Sequence, residues 1–102
     1  MQSESGAWTG VGWHISASHY DNVRKETHGH SYEITAWFPA GRDAVVLQET
    51  LKGVLRAFDH KTLPPELTRA EDLAKAIGGL MGDCVGIDIS RPSERLHARW
   101  RI

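Results

Sequence analysis

The stretch ETHGHSYEI, residues 26–34, places two histidines two positions apart at the start of an alternating run. Side chains two apart in an extended chain project to the same face, so His28 and His30 are predicted to lie side by side. From His30 to Phe38 the chain alternates apolar and polar residues, which is typical of a strand with one buried face. The stretch therefore predicts a strand that carries a pair of imidazoles at one end.

A second alternating run, Gly12–Tyr20, precedes this strand and carries another histidine, His19, next to its end. His19 shares its apolar face with Ile15, so a hairpin of the two strands would bring it to His28 and His30. Three imidazoles that leave one coordination position open are the pattern of a catalytic zinc site. The spacing alone also fits two polar histidines at the beginning of a strand, and this alternative stays open.

The hydrophobic period changes from two to that of a helix beyond the turn at residues 39–43. Apolar stripes at helical spacing predict two helices, with Leu47, Leu51, Val54, Leu55 and Phe58 in the first and Ala70, Leu73, Ala74, Ile77, Leu80 and Met81 in the second. Thr68 and Glu71 have the spacing of a capping box at the start of the second helix. Two further alternating runs, 84–90 and 95–102, predict two more strands.

The order β-β-α-α-β-β predicts an α+β fold, with one antiparallel sheet and both helices on one of its faces. We expect residues 1–7 to be a loose N-terminus and residues 8–102 to form a single domain. Trp37 lies on the strand face that the helices would leave open, so we expect it at a contact between subunits.

Bulk composition excludes several classes of protein. A formal charge of −1 over 102 residues does not favour nucleic acid as a partner. One cysteine, Cys84, permits no intrachain disulfide, which is typical of a reducing compartment. No apolar run approaches the roughly 20 residues that span a membrane, and the N-terminus has no signal-peptide pattern. These features predict a cytoplasmic protein with no membrane segment.

Four short motifs, taken in order, resemble the 6-pyruvoyl tetrahydropterin synthase / 6-carboxytetrahydropterin synthase family. They are ISASH at 15–19, HGHSYEI at 28–34, FDH at 58–60 and AEDLAKAI at 70–77. The resemblance covers about residues 12–90. It implies the tunnelling fold, with β-β-α-α-β-β subunits assembled into a ring as a homo-oligomer (trimer or hexamer), and active sites between subunits.

The resemblance also implies a chemistry and assigns residues to it. It implies a zinc cofactor held by His19, His28 and His30, a pterin such as dihydroneopterin triphosphate as the small-molecule substrate, and Asp59 with His60 as the catalytic pair that moves protons. From the residues alone, a histidine at that place also fits a helix C-terminus, where it favours the helix dipole.

The sequence departs from the family at the catalytic base. Arg24 stands where the family has a cysteine thiolate, and a guanidinium stays protonated at any working pH. Glu26 has the parity of His28 and His30, so it is a candidate catalytic base or fourth zinc ligand if the strand begins early; the alternative is a solvated loop glutamate. Glu71 is either a helix cap or a substrate-binding residue for the pterin.

The carboxylate that anchors the pterin in the family is also missing, because Ile89 and Ser90 occupy its place. Asp88 and Glu94 are the candidates to replace it. Two functions follow: a zinc-dependent lyase of the pterin synthase type, or a non-catalytic relative that binds zinc or a pterin and has lost the catalytic cysteine. A third possibility is a structural oligomeric domain in which the histidines are incidental.

Overall fold

The computed structural model describes residues 6–102, so most of the expected loose N-terminus lies outside the described residues. Five strands form one sheet in the order β3-β1-β2-β4-β5. The elements in chain order are β1 (Trp8–Asp21), β2 (Glu26–Pro39), α1 (Ala44–Leu55), β3 (Lys61–Thr62), α2 (Ala70–Gly79), β4 (Gly86–Arg91) and β5 (Leu96–Arg101). The α+β order predicted from periodicity is therefore confirmed.

The pairing of the four long strands is antiparallel, as predicted. The sheet as a whole is mixed, because the two-residue strand β3 pairs parallel to β1 at Ala17 and Ser18. A strand of two residues is too short to leave a hydrophobic period in the sequence, so β3 was not predicted.

The core lies between the sheet and the two helices. Ile15, Tyr32, Ile34 and Ile87 on the sheet are each at most 1% exposed. They face the buried helical residues, which are Leu47, Leu51 and Leu55 in α1 and Leu73, Ala74 and Ile77 in α2. Each such aliphatic side chain contributes roughly 1.5–3 kcal/mol when it is fully buried, so this layer fixes the position of β1 and β2.

The two helices begin differently. Asp43 caps α1 by accepting a hydrogen bond from the Val45 N–H at 2.9 Å. The capping box predicted for α2 is wrong: Arg69 is the N-cap and contributes no side-chain hydrogen bond. The Thr68 hydroxyl instead donates to the Pro65 carbonyl at 3.1 Å, because Thr68 ends a short 3-10 turn.

The hairpin of β1 and β2 extends beyond the rest of the sheet. Each of its strands has 14 residues, whereas β4 and β5 have six each. Because β4 pairs only with Glu33–Trp37 of β2, the hairpin end that begins at Glu26 projects past β4. None of the helices among the described residues is long and apolar enough to cross a membrane.

Candidate metal and catalytic site

The three histidines of the hairpin come together at its projecting end. His19 lies directly opposite His28 in the β1–β2 register, and His30 lies opposite Ala17. The Nε2 atoms of His19 and His30 are 2.9 Å apart, and their rings stack with centroids at 4.9 Å. The His28 ring lies 6.2 Å from that of His19 and 6.4 Å from that of His30.

Glu94 contacts the far side of the His30 ring. His30 Nδ1 lies 2.6 Å from Glu94 Oε1, so Nδ1–H donates to the carboxylate and the lone pair is left on Nε2. Burial and then the charge of Arg91 lower the pKa of His30, although the bond to Glu94 acts the other way. The hydrogen bond from Ser93, followed by His30 and Arg91, lowers the pKa of Glu94. These shifts favour the neutral form of the His30 imidazole and the ionised form of the Glu94 carboxylate.

His28 contacts two carboxylates at the hairpin turn. Its Nε2 lies 3.2 Å from Asp21 Oδ2 and 3.5 Å from Glu26 Oε1. The other Asp21 oxygen accepts the N–H groups of Val23 and Arg24 at 2.9 and 3.1 Å. These bonds, Arg24 first, and His28 lower the pKa of Asp21. Glu26 is the first residue of β2, and its carboxylate contacts His28.

Sequence reasoning did not identify Asp21. The sequence holds one signal for it, because an aspartate at the end of a strand commonly bonds the backbone two residues on. The register that pairs Asp21 with Glu26 is seen only in the structure. The predicted strand ended one residue too early, at Tyr20, and Asp21 was assigned to the polar connection.

A zinc ion is the cofactor that this donor set suits, because neutral imidazole nitrogen is a preferred zinc ligand. Two nitrogens bound to one tetrahedral zinc lie about 3.3 Å apart, close to the spacing of the His19 and His30 Nε2 atoms. Within residues 6–102, however, no group of three or more potential ligands converges to hold a metal ion as the side chains lie. His28 Nε2 is turned onto Asp21, so His28 joins the pair only if its ring rotates.

Asp59 and His60 follow α1 and attach to the edge of β1. Asp59 Oδ1 accepts the Ser16 N–H at 2.9 Å, and the His60 N–H donates to the Ser16 carbonyl at 2.6 Å. His60 has a left-handed backbone with φ of 56°. Its ring is 81% exposed, and Nε2 lies 3.7 Å from Asp59 Oδ2. Asp59 is therefore held in place, and the imidazole of His60 projects freely.

An open cavity of about 480 Å³ links the two groups of candidate residues. His30 and His60 both line it, and between them lie Ser16, Ala17, Ser18, Gly29, Ser31, Lys61 and Ser93. The cavity places one of the metal-ligand candidates and one of the acid–base candidates around the same space.

The structure does not bring Glu71 to this site. Glu71 Oε1 accepts a hydrogen bond from Arg69 Nε at 2.6 Å, and within the described part of the chain no hydrogen bond or ion pair joins it to the histidines. Cys84 is buried and donates its Sγ–H to the Gly86 carbonyl, and burial raises the pKa of its thiol. It therefore offers no thiolate in place of the missing family cysteine.

The two carboxylates considered as pterin anchors both have partners. Asp88 lies on the sheet face opposite the helices, where Arg99 and Trp37 donate to it at 2.6 and 2.9 Å. Glu94 is engaged by His30.

The sheet order, the two helices on one face and the long projecting hairpin define the class as the tunnelling fold. The structure is similar to that of Caenorhabditis elegans 6-pyruvoyl tetrahydropterin synthase, with a TM-score of 0.73 and 13% sequence identity over 94% of this chain and 95% of that one. No family model matches the chain, and no curated protein sequence matches it. The predicted fold is thus confirmed, and the chemistry is left to the residues of the site.

Proposed function

We propose that this protein is a zinc-dependent lyase of the 6-pyruvoyl/6-carboxytetrahydropterin synthase type that acts on dihydroneopterin triphosphate or a related pterin. The observation that supports it most is the His19–His30 pair, whose Nε2 atoms lie 2.9 Å apart on the fold of a pterin synthase. His19, His28 and His30 would hold the zinc ion, which when bound supplies Lewis-acid polarisation of a substrate oxygen. The active form is a homo-oligomer.

His60 and Asp59 are the acid–base pair in this proposal. The exposed His60 imidazole lines the same cavity as His30, so it is placed to take and return a proton of a bound pterin. Asp59, fixed by the Ser16 N–H, lies 3.7 Å from His60 Nε2 and would orient the imidazole toward the cavity.

Glu26 is the second base in the proposal, because Arg24 cannot replace the thiolate of the family. Its carboxylate lies on the metal face of β2, 3.5 Å from His28 Nε2, and is well exposed. Asp21, whose oxygens all have partners at the turn, is less free to act on a substrate.

A non-catalytic relative that binds zinc or a pterin is the second candidate. Arg24 favours it, since the family base is absent and the only cysteine, Cys84, is buried in the core. Under this alternative the histidines bind their ligand, and no product forms.

Turnover distinguishes the two. The purified protein is loaded with zinc, its metal content is measured by mass spectrometry, and dihydroneopterin triphosphate is added while triphosphate release and pterin products are followed. If the protein is a lyase, the wild type forms product and the His28→Ala and Glu26→Gln variants do not. The control Glu33→Gln, on the opposite face of β2, forms product as the wild type does. Stoichiometric zinc without product supports the binding protein, and absence of zinc contradicts the lyase.

A further inference from the structure

Glu94 lies at the end of the turn Pro92–Glu94, between β4 and β5, and is 64 residues from His30 in the chain. We propose that Glu94 is the positioning residue of the metal-binding group: its carboxylate accepts the His30 Nδ1–H and thereby holds the tautomer whose Nε2 faces His19. The claim that Glu94 affects metal binding rests on the proposed function. The claim that Glu94 fixes the tautomer of His30 does not depend on it.

The geometry assigns Glu94 a supporting role and not that of a ligand. The distance of 2.6 Å between His30 Nδ1 and Glu94 Oε1 is that of a short, charge-assisted hydrogen bond. Nδ1 and Nε2 lie on opposite sides of an imidazole ring, so a carboxylate bound at Nδ1 does not reach an ion bound at Nε2. Histidines that bind metals commonly donate their other ring N–H to such a carboxylate, which fixes the ring and raises its basicity.

Neighbouring groups hold the Glu94 carboxylate in this position. The Ser93 hydroxyl donates to Oε2, and Arg91 Nε lies 3.5 Å from Oε1, with the Arg91 side chain only 18% exposed. Arg95 closes the turn in a left-handed conformation, with its N–H on the Pro92 carbonyl at 3.2 Å. Side chains of the turn thus orient the carboxylate, although Glu94 is itself 31% exposed.

The His30 ring is restrained on its other sides as well. Tyr32, which is 1% exposed, packs edge-on against it with centroids at 6.1 Å, and His19 stacks on it. The hydrogen bond to Glu94 then selects the tautomer of His30 that carries its proton on Nδ1. The turn between β4 and β5 would therefore raise the zinc affinity of the β1–β2 hairpin, although no residue of the turn binds the zinc ion.

The test measures zinc affinity and the imidazole tautomer in four proteins: wild type, Glu94→Ala, Glu94→Gln and the control Glu66→Gln, which alters an exposed glutamate of another turn. Competition with a chromophoric chelator gives the zinc dissociation constant. We expect Glu94→Ala to weaken zinc binding about 10–100-fold, Glu94→Gln to weaken it less, and Glu66→Gln to leave it unchanged. An equal affinity in wild type and both folded Glu94 variants would overturn the proposal.

Long-range ¹H–¹⁵N spectra of the metal-free protein keep this result separate from the proposed function. We expect His30 to be protonated at Nδ1 in the wild type, and to show a mixture of tautomers in Glu94→Ala while the His97 signals stay unchanged. A His30 protonated at Nε2 in the wild type would refute the positioning role. A wild type that binds no zinc but carries the Nδ1 proton would refute the metal function and support the role of Glu94.

Discussion

At the scale of single residues, His60 combines an exposed side chain with a backbone conformation that favours glycine. Its φ is 56°, and the His60 N–H is held on Ser16. A left-handed conformation costs a residue with a Cβ roughly 1–2 kcal/mol, a cost that glycine does not have. Stability alone would therefore favour glycine at this position.

We therefore predict that His60→Gly makes the fold more stable and the protein inactive. The free energy of unfolding should rise by about 1 kcal/mol, because the ring is 81% exposed and little packing is lost. Triphosphate release should fall about 10²–10⁴-fold, the usual contribution of a general acid or base. Denaturant unfolding and the turnover assay measure the two effects.

His60→Ala separates the side chain from the backbone in this experiment. It should lose the same activity without the gain in stability, because alanine keeps the Cβ. If His60→Gly keeps its turnover, His60 has no acid–base role.

At the scale of elements, α2 approaches β5 closely at Gly78. Gly78 is buried, and a Cβ added to it would overlap the ring of Trp100. We predict that Gly78→Ala destabilises the protein by about 1–3 kcal/mol, because the Trp100 ring has to leave its position.

Gly79→Ala is the matched control. Nothing lies within 4 Å of a Cβ added there, so this substitution should be neutral or up to about 1 kcal/mol stabilising. Equal thermal shifts in the two variants would show that the approach of Trp100 is not tight.

A second contact between elements joins β2, β4 and β5 on the open face of the sheet. Partial burial acts to raise the pKa of Asp88, but the hydrogen bonds from Arg99 and Trp37 outweigh it and lower the pKa below 3.8. A carboxyl whose folded pKa is lowered stabilises the fold above its unfolded pKa, and this contribution is lost as pH falls through the folded value.

Asp88→Asn should therefore be less stable than the wild type near pH 7, by up to about 1 kcal/mol because the Arg99 partner is 64% exposed. The difference should shrink as the pH falls below about 4. Urea unfolding at pH 7 and pH 3 measures it. A difference that grows on acidification would mean that Asp88 is protonated more easily in the folded protein.

The site can be predicted from the sequence only in part. The faces of β1 and β2 follow from alternation, and their register then brings His19 opposite His28, so this part of the candidate site was predictable. Glu94 was considered as a pterin anchor, and its contact with His30 was not predicted, because it depends on how a turn 64 residues away folds back on the hairpin. No local pattern records such a contact.

At the scale of the whole molecule, the outer side of β1 pairs with another strand only at Ala17 and Ser18 among residues 6–102. Ser16 and Ser18 turn their backbone groups outward, to Asp59, His60 and Leu63. Because backbone groups alternate in direction along a strand, the N–H and C=O of His14 point outward like those of Ser16. β3 pairs only with Ala17 and Ser18, so among the described residues no strand pairs with β1 at His14. β5 forms the opposite edge of the sheet. Joining the β1 edge of one subunit to the β5 edge of the next would close a ring in which neither edge is exposed.

The expected ring of three or six subunits can be tested at His14. His14→Pro removes one outward N–H from the edge of β1 and leaves the β1–β2 ladder intact, whereas His14→Ala removes the same side chain and keeps the N–H. Sedimentation equilibrium should give an oligomer for the wild type and His14→Ala and a folded monomer or a smaller species for His14→Pro. If His14→Pro keeps the wild-type mass, the β1 edge does not hold the subunits together, and the open sheet face around Trp37, which is 37% exposed, becomes the better place for the contact.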